Sequence, residues 1–108
     1  MRIAYFDCFS GISGDMTLGA FLDAGLSMAA LEKELAKLKV KGYALKRSRA
    51  RRGALAGTKF DCVARHGHSH AHASLRGILA MIGRSALSPR VKSMSRDIFT
   101  VIGAAEAK

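Results

Sequence analysis

A chain of 108 residues, 49% hydrophobic and with a single proline, has the material for one small globular domain with its own core. No apolar run approaches the ~20 residues of a membrane-spanning helix, and Asp7 interrupts the start before a signal-type apolar stretch can develop. Cys8 and Cys62 are too few for a disulfide framework, which fits reduced thiols in a cytoplasm. The net charge of +10 is local: between Lys33 and Arg65 eleven basic residues stand against Glu34 and Asp61. Such a patch attracts phosphate-bearing partners, but charge alone does not separate nucleotide, nucleic acid and acidic protein.

The first predicted element is a strand, Ile3 to Phe6. It leads through Asp7-Cys8-Phe9-Ser10-Gly11-Ile12-Ser13-Gly14-Asp15-Met16 into a helix from Asp15 to Ala24, which Gly25 stops. Strand-to-helix turns are where sheet proteins build sites, because a strand's carboxyl end and a helix's amino end converge there. Gly11 and Gly14 allow positive φ and close approach, while Ser10 and Ser13 can cap the helix or donate to an anion, so these four are candidate ligand-cradling residues. Asp7 and Asp15 flank the loop and would repel a bare phosphate unless a cation lay between, which favours a metal-handling site. Both carboxylates are expected to face one cleft. Cys8 is either a thiolate ligand beside them or a buried small hydrophobe. The bland alternative is that the glycines turn the chain and Asp15 only favours a helix start.

A second helix is predicted after Ser27, with Met28, Leu31, Leu35 and Leu38 as its apolar stripe. Tyr43 to Arg52 and Thr58 to Arg65 read as two strands around Gly53-Ala54-Leu55-Ala56-Gly57. Arg47, Arg49 and Arg51 share one face of the first, a basic surface from which Arg47 and Arg49 are candidate anion-binding residues. Phe60, Cys62 and Ala64 share a face of the second, a core contribution. Two helices follow: one from Ser74 through Leu75, Ile78, Leu79 and Ile82, the other from Ser88-Pro89 through Val91, Met94, Ile98, Val101 and Ile102 to the end, with no stop signal. The expected architecture is α+β, a mixed three-stranded sheet in the order β-α-α-β-β-α-α, with residues 1–108 as one domain and the amino-terminal part of a longer protein.

All four histidines stand at spacing two in His66-Gly67-His68-Ser69-His70-Ala71-His72. In an extended segment that spacing puts them on one side at about 7 Å, where imidazoles can converge on one metal, and imidazole-rich ligation suits nickel, copper or zinc. The alternative is a solvated loop that binds metal only adventitiously.

Asp7 to Met16, Gly57-Thr58-Lys59-Phe60, the histidine stretch and Leu87-Ser88 ahead of a helix into Ala105-Glu106-Ala107 together resemble the start of the nickel insertion (LarC-type) proteins. The resemblance runs over essentially the whole chain. It implies nickel insertion into pyridinium-3,5-bisthiocarboxylic acid mononucleotide, forming nickel–carbon and nickel–sulfur bonds during nickel-pincer cofactor synthesis, with CTP and a divalent cation used by the full-length family. The histidines would then capture nickel, and Asp7, Asp15 and Cys8 would hold or relay it. Family members are longer, with a further His-x-His-Glu segment downstream and a carboxyl-terminal region to which CTP binding is attributed. Neither is found in residues 1–108, so this chain alone is expected to be inactive as an enzyme; Gly77 also stands where an acidic residue is expected, and Arg47 to Arg52 is more basic than usual. Two other classes fit the composition. A nickel storage or chaperone module would not depend on the glycine loop, and a basic nucleic-acid binder would be salt-sensitive and indifferent to nickel. Few aromatics accompany the arginines, so nucleic acid ranks last.

Overall fold

A computed structural model describes residues 1–65 and 73–107. Four helices and one hairpin follow in the order α1 (Gly14–Asp23), α2 (Met28–Ala36), β1 (Tyr43–Arg52), β2 (Leu55–Ala64), α3 (Leu75–Arg84) and α4 (Pro89–Glu106). The α+β class stands, but the sheet among the described residues is a two-stranded antiparallel hairpin rather than a mixed three-stranded sheet.

The expected first strand accounts for the difference. A strand exists only where its amides and carbonyls meet a ladder, and residues 1–7 make no backbone hydrogen bond among the described residues. Ile3 and Tyr5 stand 80% and 88% exposed. Phe6 alone is anchored, its ring edge-on to Phe21 of α1 at 5.5 Å between centroids. The apolar run is thus present in sequence and, among the described residues, unpaired in space.

Each helix start follows its capping residue. Ser13, Ser27, Ser74 and Ser88 accept from the amides of Met16, Ala30, Gly77 and Val91, satisfying donors that a first turn leaves open, and Pro89 opens α4 where no amide is needed. At the end of α1, Gly25 takes φ +109° and the Leu26 amide returns to the Phe21 carbonyl at 2.9 Å, a Schellman stop.

The hairpin turns more tightly than the glycine spacing suggests. Arg52 pairs with Leu55, so Gly53 (φ +60°) and Ala54 form the whole loop, and β2 begins at Leu55 rather than Thr58. The register also brings together what the sequence separates. Arg47 pairs with Phe60, Arg49 with Thr58 and Leu45 with Cys62, and directly opposed residues share a face. The arginines and the apolar residues of β2 therefore lie on one side of the hairpin. On the other side run Arg52 with Leu55, Ala50 with Gly57 and Ser48 with Lys59.

The core is small: among the described residues Leu22 of α1, Phe60 of β2 and Ile82 of α3 are the buried large apolar side chains. Helix α1 lies so close to β2 that a side chain at Gly19 would come within 2.8 Å of the Thr58 carbonyl oxygen. Helices α3 and α4 pack on each other, and Lys92 donates to the Gly83 carbonyl at 3.0 Å to tie their ends. No helix among the described residues is long and apolar enough to cross a membrane.

Candidate functional site

The Asp7–Met16 segment folds in two steps that together aim Asp15. The Gly11 amide donates to the Cys8 carbonyl at 2.9 Å, closing a turn in which Gly11 takes φ +83°, and the chain then enters α1 at its cap, Ser13. The Ser13 hydroxyl donates to the Asp15 carboxylate while its oxygen receives the Met16 amide, and its carbonyl accepts from the Thr17 hydroxyl at 2.8 Å. The Ser13 hydrogen bond, first of all, holds the Asp15 carboxyl below its ordinary value of 3.8; backbone amides and the charge of Lys59 act in the same direction, and partial desolvation opposes them. A carboxyl so placed is a weak base and a good holder of positive charge.

Asp15 and Met16 form one wall of an open groove of about 540 Å³ where the start of α1 meets the hairpin. The groove is lined on the hairpin side by Arg52 and Lys59 with Ala50 and Gly57 between them, and Leu55 and Phe60 add apolar surface. At the other end of α1, Asp23 accepts the Thr58 hydroxyl at 2.6 Å and lies 3.9 Å from Arg49. These contacts hold helix and hairpin in register along the length of α1.

The expected site residues fall in different places. Asp15 lines the groove. Asp7 is exposed and Cys8 half-buried with a free thiol, and neither is among the groove's lining residues. Ser10 and Gly11 belong to the turn, Ser13 and Gly14 to the helix start, where Ser13 acts through Asp15. Arg49 faces Asp23 rather than the groove, and Arg47 lies across from Phe60 on the same side. His66, His68, His70 and His72 lie outside the described residues. Among the described residues no group of three or more His, Cys, Asp or Glu is placed to hold a metal ion.

Arg52 and Lys59 were not among the candidate site residues, although Arg52 ends the basic stretch and Lys59 stands in the Gly57-Thr58-Lys59-Phe60 motif. The signal for them is the two-residue turn, which sets Ala50 against Gly57 and so leaves Arg52 and Lys59 on one face with nothing bulky between.

The comparisons with known proteins bear on what the groove serves. The family model described as "Nickel insertion protein" matches residues 4–108. A pyridinium-3,5-bisthiocarboxylic acid mononucleotide nickel insertion protein of Desulfitobacterium hafniense is 50% identical over 108 residues, covering 100% of this chain and 26% of the relative. A similarly named protein of Geobacillus kaustophilus is 43% identical over 116 residues, covering 28% of its length. A putative nickel insertion protein of Roseiflexus castenholzii is 50% identical over 107 residues, covering 27%. No solved structure matches the chain. It spans about a quarter of the length of these relatives, and with a family match over residues 4–108 it belongs to the nickel insertion protein family.

Proposed function

We propose that the chain supplies the amino-terminal, nickel-capturing part of a nickel insertion protein acting on pyridinium-3,5-bisthiocarboxylic acid mononucleotide. The observation that carries this reading is an ionised carboxylate, Asp15, set beside two cations in one groove, on a chain whose relatives are named for that substrate. The substrate named there combines a cationic ring, two acid groups and a phosphate. A groove with a carboxylate on one wall and Arg52 and Lys59 on the other offers a partner to each sign of charge.

In this reading His66, His68, His70 and His72 take up nickel, because neutral imidazoles bind borderline metals readily. Asp15 then holds positive charge at the groove, with Ser13 fixing its orientation. Asp7 and Cys8 flank the entry to α1 and serve nickel transfer, and Arg47 and Arg49 add to the positive field on the hairpin's other face. Residues 1–108 act as one domain joined to a downstream region. CTP and a divalent cation act through that region of the full-length protein rather than through this chain. The free thiols of Cys8 and Cys62 suit a cytoplasmic site of action.

Calorimetric titration of the 108-residue chain with nickel tests the reading. Nickel binding that His66→Ala, His68→Ala, His70→Ala and His72→Ala together abolish, with no CTP turnover by the chain, is the expected result. Unchanged nickel affinity in the quadruple variant would move the metal site to Asp7, Cys8 and Asp15. Measurable CTP turnover would overturn the division between the two regions.

A further inference from the structure

The face of the hairpin opposite Arg47 and Arg49 carries three successive cross-strand pairs: Arg52 with Leu55, Ala50 with Gly57, and Ser48 with Lys59. Opposed pairs in an antiparallel ladder stack along one face, so the middle pair, a methyl group and a hydrogen, leaves a trough between its bulkier neighbours. A Cβ built on Gly57 meets no atom within 4 Å, which shows the space above it to be open. Arg52 closes one end and Lys59 the other, and Leu55 and Lys59 stand four residue steps apart along the strand, roughly 13 Å at the Cα atoms. Asp15 and Met16 of α1 line the same groove, as do Ala56, Thr58 and Phe60 of the hairpin's other face.

We propose that this trough is the mononucleotide seat, with Arg52 and Lys59 gripping the phosphate and the Ala50–Gly57 pair providing the gap that admits it. The assignment rests on the functional reading above and specifies where the phosphate goes: to the Arg52–Lys59 face, not to Arg47 and Arg49. Arg49 faces Asp23 at 3.9 Å, so its charge is partly answered within the protein. Arg52 pairs with no carboxylate among the described residues. Lys59 touches Asp61 at 3.1 Å, but an ammonium has three donors, and one contact from the side leaves the others for a ligand. A guanidinium presents a planar fork that matches two phosphate oxygens at once, so Arg52 is the geometric reader of the pair and Lys59 the point charge. Leu55, 78% exposed beside Arg52, offers apolar surface to a ring or sugar.

The test compares the pyridinium mononucleotide with its dephosphorylated nucleoside, titrated separately against the 108-residue chain by calorimetry, with nickel titrated against the same samples. The wild-type chain should prefer the mononucleotide. Arg52→Gln and Lys59→Gln should each weaken mononucleotide binding about tenfold or more and leave nucleoside binding unchanged, since a charge-assisted bond is lost only with the phosphate present. Gly57→Ala sets a methyl group in the trough with no protein atom within 4 Å and should weaken both compounds with the circular dichroism spectrum intact. Arg47→Gln should weaken mononucleotide binding less than Arg52→Gln does. Equal losses for nucleoside and mononucleotide, or a loss in Arg47→Gln larger than in Arg52→Gln, would overturn this seat while nickel binding upholds the functional reading. A chain that takes up neither nickel nor mononucleotide would overturn that reading, and the seat with it.

Discussion

The close approach of α1 to β2 at Gly19 yields the sharpest stability prediction. In the middle of a helix, alanine for glycine ordinarily stabilises by about 1 kcal/mol, because glycine has more backbone freedom to lose. Here the new methyl carbon would stand 2.8 Å from the Thr58 carbonyl oxygen and 3.7 Å from the Phe60 amide nitrogen. Both neighbours are backbone of a paired strand, so neither can swing aside as a side-chain tip would. Overpacking of this kind costs about 1–3 kcal/mol. Subtracting the propensity gain leaves Gly19→Ala less stable than wild type by about 1 kcal/mol, which lowers the melting temperature by ~4–8 °C in a domain of this size. Gly83→Ala is the control, since its methyl would meet only Arg96 at an ordinary 3.5 Å, and a gain of up to about 1 kcal/mol is expected. Urea unfolding followed by circular dichroism reads both midpoints. If Gly19→Ala stabilises as much as Gly83→Ala, the helix does not lie against β2 as described, and the groove built on that contact falls with it.

Three further outcomes follow from the same contacts. Ser13→Ala removes both the α1 cap and the hydroxyl on Asp15, so stability should fall by about 1 kcal/mol; the Asp15 carboxyl should also titrate closer to its ordinary value, which carboxyl-detected NMR would register and an unmoved titration would refute. Because the folded state lowers that carboxyl, its contribution to stability is present above about pH 3.8 and is lost as the pH falls through the lowered value. Leu22→Ala, at 1% exposure, should cost about 2–5 kcal/mol, whereas Leu55→Ala, at 78%, should stay within about 0.5 kcal/mol, and denaturant midpoints that rank them otherwise would contradict the core assignment. Nickel affinity of the chain should weaken as the pH drops through ~6.5, where imidazoles protonate and cease to be ligands; a flat profile between pH 5 and 8 would exclude the histidines.

Helix positions were legible because each is punctuated locally. A serine cap three residues before its amide partner, Pro89 at a first turn and Gly25 at a stop are signals carried by single residues, and all four helices form where those signals stand. The first strand was not legible in the same way. Ile3 to Phe6 has β-type residues, but a ladder is a property of two segments, and among the described residues nothing pairs with this one. The hairpin lies between these cases: both strands were expected, while their register depended on whether the turn took two residues or five. Gly53 at φ +60° makes it two, and that choice places every cross-strand pair.

The register also explains why Asp15 could be named from sequence but its cationic neighbours could not. Asp15 reports itself through a local arrangement, a carboxylate two residues after a capping serine at a helix start, and the hydrogen bond between them needs no other part of the chain. Arg47, Arg49 and Arg51 form the more conspicuous row because they recur at spacing two. Spacing within one strand fixes only that residues share a face, not what that face meets. Pairing decides the latter: it sets the arginine row beside Thr58 and Phe60, where Asp23 already faces Arg49, and leaves Arg52 with Lys59 on the opposite side around a pair too small to fill its own space. A guanidinium with no carboxylate partner among the described residues and an ammonium with donors to spare, flanking a methyl group and a glycine, leave a ligand room that the face packed against α1 does not. On that physical ground the less regular pair of cations, not the striped one, is where an anionic ligand would be held against Asp15.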